Sequence, residues 1–278
     1  ATPLQGGWWL RSAPPGTPPP GRGVGRAATM AGLCADLPPT GARARRRLAA
    51  GGCHVLLEDN HLLVVSKPAG LASQGGPGLD VHLVALVDAY RREAESKPGR
   101  AFVGLVHRLD RNVSGVLVLA KTSKAASRLT DRFRARDDSL RKIYTAWVDG
   151  RVAADEAELV DRLIRDGKVT HRAAAGDDGA REARLRFRVE GRGPDTSRLR
   201  IELGTGMTHQ IRAQLGLYGH PIVGDAKYGG SQGTRPALHA TRLVFPHPVG
   251  GDEVDVRAPT PQQLLRLDRK KGVEPPAG

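Results

Sequence analysis

The chain has 278 residues, 39% of them hydrophobic and only 4% aromatic, enough for one large or two small domains built around an aliphatic core. Forty-three Lys and Arg oppose 29 Asp and Glu, and the net charge of +14 favours a polyanionic partner, because cations that neutralise phosphates release counterions. Two cysteines, Cys34 and Cys53, exclude a disulfide framework and a four-thiolate zinc site, and no apolar run reaches the ~18 residues of a membrane helix.

Residues 1–53 hold eight of the 20 prolines, ten of the 35 glycines and seven arginines against a single acid, Asp36. That composition predicts a disordered leader, because it offers little apolar surface to offset ordering entropy. An organelle transit peptide, a basic binding arm and a stretch foreign to the native chain, with Met30 as initiator, all remain open. A cytoplasmic location is expected, or a mitochondrial or plastid one if the leader is a transit peptide. Residues 54–262 are the predicted folded domain, and residues 263–278 a basic tail.

Within the domain, residues 54–58 and 62–66 are short apolar runs around Asp59-Asn60 and read as a hairpin. Residues 80–96 read as a helix ending at Pro98-Gly99, and residues 113–120 as a buried strand. A helix opened by Thr122 or Ser123 follows, with Ala125, Leu129 and Phe133 facing the core and Lys124, Arg128 and Arg132 forming a basic stripe. Residues 141–148 and 183–190 read as strands. In the second, Leu185, Phe187 and Val189 alternate with Arg184, Arg186 and Arg188, one face apolar and the other basic. Either basic face could track a polyanion or be ordinary solvated surface. Further strands are expected at 199–203, 242–246 and 253–257. The irregular order of strands and helices predicts an α+β domain with a mixed sheet.

No phosphate loop, dinucleotide fingerprint, His-Glu-x-x-His pair or Gly-x-Ser-x-Gly elbow occurs, so neither a cofactor nor a metal is expected. Two segments carry unusual chemistry. Gly104–Gly115 packs His107, Arg108, Asp110 and Arg111 ahead of a buried strand, where scaffolds hold functional side chains. An ion-paired turn, Asp110 on Arg108 or Arg111, is the plain structural alternative. Leu203–Arg212 has a glycine-rich turn before a helix, with His209 and Arg212 three residues apart on one face.

Together these segments resemble the RluA family of RNA pseudouridine synthases. His107-Arg108-Leu109-Asp110, followed by Ser114-Gly115, is similar to the motif of the catalytic Asp. Arg141–Tyr144 resembles the motif of the active-site Tyr, and Thr205–Arg212 the motif whose last Arg pairs with that Asp. Val64–Leu71 resembles the family's entry motif, and Gly219–Gly229 its segment after the Arg. The likeness runs from about His54 to Pro259, in the family's order. It implies a pseudouridine synthase fold: α+β, with a mixed, largely antiparallel sheet, flanking helices and a central RNA-binding cleft. It also implies catalytic Asp110, Tyr144 and Arg212, and RNA-binding Arg108, His209 and Lys67. The expected partner is ribosomal or transfer RNA, bound by a monomer without a nucleotide cofactor. Met207 stands where the family usually has Arg, Val113 where it has Thr, and Gln214 where many members have His.

Overall fold

The computed structural model describes residues 41–135 and 139–275. Residues 1–40 of the expected leader lie outside the described residues.

Strands β1 (His54–Glu58) and β2 (Leu62–Lys67) form the expected hairpin. Asp59 closes its turn, its carboxylate accepting the backbone N–H groups of His61 and Leu62 at 2.6 and 2.7 Å. Beyond the two-residue β3 (Gly104–Leu105), β4 (Ser114–Ala120) pairs antiparallel with β2, and all seven of its residues are buried. Side chains alternate across a strand, so this pair feeds two cores. Leu63, Val65, Leu117 and Leu119 pack on one face with Leu83 and Val87 of α2 (Leu83–Ala94). Leu62, Val64, Val116 and Val118 pack on the other with Ala125 and Leu129 of α3 (Ser123–Ala135). The α3 face expected to be apolar is the one buried, and Thr122 caps that helix by accepting from the Ala125 N–H at 3.2 Å.

The remaining strands are β5 (Arg141–Asp149), β6 (Glu156–Asp166), β7 (Val169–Arg172), β8 (Arg181–Arg192), β9 (Thr196–Leu203), β10 (Leu238–Pro246) and β11 (Glu253–Arg257). Among the described residues they form one eleven-stranded sheet in the order β1-β2-β4-β10-β5-β9-β8-β6-β7, with β11 on β10 and β3 on β4. Every pairing is antiparallel except β4 with β10. Gly115 makes that junction possible. It has φ +131°, and a Cβ there would lie 2.2 Å from the Ala240 carbonyl oxygen.

Two boundaries differ from the sequence reading. Residues 41–50, expected to be disordered, form helix α1 (Gly41–Ala50). Ala44 and Leu48, four apart, are buried against the α2 core, and Arg45 reaches Glu58 at 3.0 Å. Residues 263–271, expected to belong to a basic tail, lie in helix α5 (Gln262–Lys271). Leu264 is buried, and Asp268 accepts from the Trp147 indole at 2.7 Å and also takes Arg198. In both segments a few apolar and paired positions outweigh a strongly basic composition. The hairpin β6–β7 was not anticipated at all.

Candidate active site

The β3–β4 loop carries Asp110, and the chain binds this loop from several sides. Ser73 donates its hydroxyl to the Leu109 carbonyl at 2.7 Å and accepts the Leu109 N–H at 3.2 Å. The Gly70 N–H donates to the Arg111 carbonyl at 2.8 Å, and the Arg111 guanidinium donates to the Gly70 carbonyl at 2.9 Å. His107 accepts the Val118 N–H through Nε2 at 3.1 Å and stacks on Phe133 at 4.5 Å. Burial, with Lys142 adding to it, pushes the His107 imidazole down to about 3, so it is a neutral brace rather than a base.

Lys67 requires a correction. Expected to bind RNA, it is 1% exposed, and its ammonium donates to the carbonyls of Pro68 and Leu71 at 2.8 Å and of Arg111 at 3.3 Å. Burial lowers its pKa to about 8. Its work is to tie the entry motif to the Asp110 loop from below, out of reach of a ligand.

From the other side comes α4 (Gln210–Leu217), entered through His209 at φ +58°. A non-glycine residue in that region is uncommon, and such strain collects at functional sites. The turn is pinned by Gln210, whose Oε1 accepts from the Thr205 hydroxyl at 2.8 Å and the Met207 N–H at 3.1 Å. Gln214, fully buried, donates to the Leu159 and Ala183 carbonyls and to Asp161. Gln at this position is therefore a satisfied scaffold residue.

Arg212 donates to Asp110 at 3.1 Å, as the resemblance implied, but its stronger partner is Asp225. The Asp225 carboxylate takes Nε and Nη2 at 2.6 and 2.7 Å, a bidentate pair in which the acid is 1% exposed. Burial alone would depress the guanidinium's pKa. The Asp225 hydrogen bonds and charge, with a smaller contribution from Asp110, outweigh burial and raise it. Neither Arg108 nor Arg111 forms an ion pair with Asp110, so the plain ion-paired turn is set aside. Tyr228 lies under Arg212, its ring centroid 5.1 Å from Cζ, and its hydroxyl meets Nδ1 of His209 at 2.9 Å. A neutral imidazole that accepts at Nδ1 carries its hydrogen on Nε2, the edge 3.6 Å from Asp110. Burial and the nearby cations Arg212 and Lys227 lower the His209 pKa against the pull of Asp110.

These groups surround a cavity of about 880 Å³. Asp110, Tyr144, Arg212, Arg108 and His209 all line it, and Lys67 does not. Among the described residues, the lining holds six cationic side chains, Arg108, Arg111, Arg134, Lys142, Arg165 and Arg212, and a single carboxylate, Asp110. Burial first, then the Asp110 charge, raises the Tyr144 pKa well above the ordinary phenol value, so the hydroxyl stays protonated. The sequence reading missed Asp225 and Tyr228 as site residues, although both lie in the quoted segment Gly219–Gly229. It also missed Arg165, which carries no motif signal.

Known proteins place this arrangement. The sequence profile of the RNA pseudouridylate synthase family matches residues 61–216, more than half of the chain. The chain belongs to that family, whose enzymes isomerise uridine to pseudouridine within RNA. It is 36% identical over 236 residues to the ribosomal large subunit pseudouridine synthase C of Salmonella typhi, covering 80% of this chain and 70% of that protein. It is 38% identical over 232 residues to the ribosomal large subunit pseudouridine synthase D of Xanthomonas campestris pv. campestris, covering 77% and 68%. In fold it is similar to human RNA Pseudouridylate Synthase Domain Containing 4, with a TM-score of 0.70 at 20% identity over 85% of this chain and 98% of the other. The expected fold is thus the observed one.

Proposed function

We propose that this synthase modifies uridines of structured ribosomal RNA, with Asp110 as the catalytic residue. The observation that carries the reading is the cavity itself, where six cations surround one carboxylate. Such a lining attracts a polyanion and leaves Asp110 as the one acid, among the described residues of the lining, able to act on what enters. The Salmonella and Xanthomonas relatives are ribosomal large subunit enzymes, which favours ribosomal over transfer RNA.

The target base must leave its stack, at a cost of about a few kcal/mol. Arg108, exposed at the cavity wall next to Asp110, is placed to prop the vacated space. Asp110 then acts near the ribose C1′ and C2′ while the bond from C1′ to uracil N1 breaks. The base rotates and rejoins through C5, whose hydrogen leaves as N1 gains one, so the product is an isomer of the substrate. Arg212 holds one Asp110 oxygen and fixes the direction in which the other faces the cavity. Tyr144, protonated, offers its ring to the uracil face and a hydroxyl hydrogen to a carbonyl or to Asp110. His209 turns an N–H edge towards Asp110.

Pseudouridine mapping across total RNA, with the wild-type protein and with Asp110→Asn, tests this reading. Sites in ribosomal RNA that disappear with Asp110→Asn are the expected result. Sites confined to transfer RNA would move the substrate assignment, and sites unaffected by Asp110→Asn would remove the catalytic role.

A further inference from the structure

Four of the six cavity cations, Arg108, Arg111, Lys142 and Arg212, lie in the recognised segments, but Arg165 comes from the unanticipated β6–β7 hairpin. Strands β4 and β6 are separated in the sheet by β10, β5, β9 and β8, so Arg108 and Arg165 reach one cavity from distant strands. Leu163 and Arg165 lie two apart on β6 and so share a face. Leu163 is fully buried in a small cluster with Ala183 and Ala213, against which Met207 packs. Arg165 continues that face outward to the cavity rim, where it is exposed.

Its partners are weak. The guanidinium donates to the Gly167 carbonyl at 3.0 Å and touches the Thr208 hydroxyl at 3.5 Å. It has no carboxylate partner among the described residues. Nearby arginines of the same sheet differ: Arg172 rests on Asp161, Arg184 and Arg186 on Glu158, and Arg188 on Glu156. The hairpin is also firmly docked. Thr170 donates its hydroxyl to the Thr208 carbonyl at 2.8 Å and its N–H to the Tyr228 hydroxyl at 3.0 Å, and Lys227 donates to the Lys168 carbonyl at 3.1 Å. A cation carried on a fixed hairpin, without an acid and facing a cavity that takes an anion, is pre-placed for a ligand.

We propose that Arg165 is a substrate-binding residue. It grips a backbone phosphate of the RNA on the β6 wall of the cavity and supplies the positive charge that the neutral side chain of Met207 does not. The inference rests on the reading of the cavity as the RNA site. Met207 gives Leu163 an apolar cover, and the charge at that wall comes from the neighbouring strand.

The test uses the full chain and a ribosomal RNA fragment containing a uridine that the wild-type protein converts. Arg165→Gln should weaken RNA binding roughly tenfold, the loss expected for one charge-assisted hydrogen bond. It should flatten the salt dependence by about one unit. The single-turnover rate at saturating enzyme should fall far less than the affinity, and the melting temperature should not change. Arg165→Lys should recover part of the affinity, and Arg165→Gln combined with Met207→Arg should recover more, because the second change restores a cation at the same wall. Arg186→Gln, on a paired arginine, should do nothing. Unchanged affinity and salt slope in Arg165→Gln would overturn the inference, as would a loss confined to the single-turnover rate. A wild-type protein that binds the fragment without converting it would instead defeat the assignment of the substrate, a result separable from the Arg165 effect on binding.

Discussion

One buried arginine beside Asp110 and a row of exposed arginines on β8 all sit on carboxylates, and they do different work. Around Asp110, one buried guanidinium is held by three carboxylate contacts at 2.6, 2.7 and 3.1 Å, two from Asp225 and one from Asp110. Along β6 and β8, Arg184, Arg186 and Arg188 meet Glu158 and Glu156 at 3.1–3.3 Å with most of these side chains in solvent. The distances differ little and the surroundings greatly. In water, an ion pair replaces hydration with something of nearly equal value. Out of water, removing one partner strands the other without compensation. Burial decides which pair matters.

The largest effect expected from this contrast is chemical. Asp110→Asn keeps the shape of the side chain but not its charge, and should lower pseudouridine formation by about 10³-fold or more. The fold should survive, because Asp225 still holds Arg212. RNA affinity at fixed salt should be retained or improved, since a negative charge leaves the cavity. Near-normal conversion would sink the mechanism.

The buried pair itself is probed next. Arg212→Ala strands Asp225, which is 1% exposed, and should cost about 3–5 kcal/mol of stability together with activity. Asp225→Asn should lower stability as well, and should lower turnover while leaving Asp110 in place. If Asp225→Asn left both melting temperature and turnover untouched, Arg212 would be held by Asp110 alone and the contrast between the buried arginine and the exposed row would lose its basis.

A smaller effect comes from a second buried polar chain, beneath the β4–β10 junction. Arg235 donates to the Ser114 hydroxyl at 3.3 Å, Ser114 donates to Nδ1 of His239 at 2.9 Å, and Nε2 of His239 donates to the Ala258 carbonyl at 3.4 Å. Burial, with Arg235 adding to it, pushes the His239 imidazole down to about 4. A histidine with a depressed folded pKa binds its proton in the unfolded chain first. Stability is therefore full above about pH 6.5 and falls as the pH drops towards 4. At pH 5 this group should withdraw about 2 kcal/mol. Thermal melts between pH 7.5 and 5 should show the decline, which buried His107 shares, and His239→Gln should make it shallower. A decline of equal depth in that variant would assign it to other groups.

How far the sequence revealed all this depends on whether the signal was local. The β2–β4 layer was legible because buried strands read as continuous aliphatic runs, and α3 because Ala125, Leu129 and Phe133 recur at helical spacing. Asp110, Tyr144 and Arg212 were legible through motifs. Strand β6 was not, since Glu156–Asp166 is rich in helix formers and becomes a strand only by pairing with β8, a choice made by tertiary context. Asp225 lay in a recognised segment, but its role as the main partner of Arg212 is a contact across 13 residues that no period encodes. Lys67 was misread because a lysine in a motif suggests an anion, whereas three backbone carbonyls hold it inside. Helix α1 was misread because average composition concealed Ala44 and Leu48. A chain beginning at Gly52 should therefore uncover part of the α2 core and melt at a lower temperature than one beginning at Pro38.

The smallest effects separate the two basic faces that the sequence presented as equals. On α3, Lys124 has no ion-pair partner among the described residues, and Arg128 donates to the Pro248 carbonyl at 2.6 Å rather than to an acid. On β8 the register sets Arg188 across from Glu156 and Arg186 across from Glu158, while Arg184, across from Val160, reaches Glu158 and Glu182. A phosphate approaching Lys124 or Arg128 meets a cation without an acid among the described residues, whereas one approaching β8 must displace a glutamate. Changing Lys124 and Arg128 together to Gln should flatten the salt dependence of RNA binding by roughly one unit for each phosphate no longer neutralised. Changing Arg184, Arg186 and Arg188 together to Gln removes more formal charge, yet it should leave the slope unchanged and the affinity within about twofold. The melting temperature should hardly move, because solvent screens what these pairs contribute. The comparison is sharpest when both variants are measured on the same RNA over one salt series. If the β8 variant flattens the slope as much as the α3 variant, the glutamates of β6 do not neutralise that face, and RNA must run across both α3 and β8.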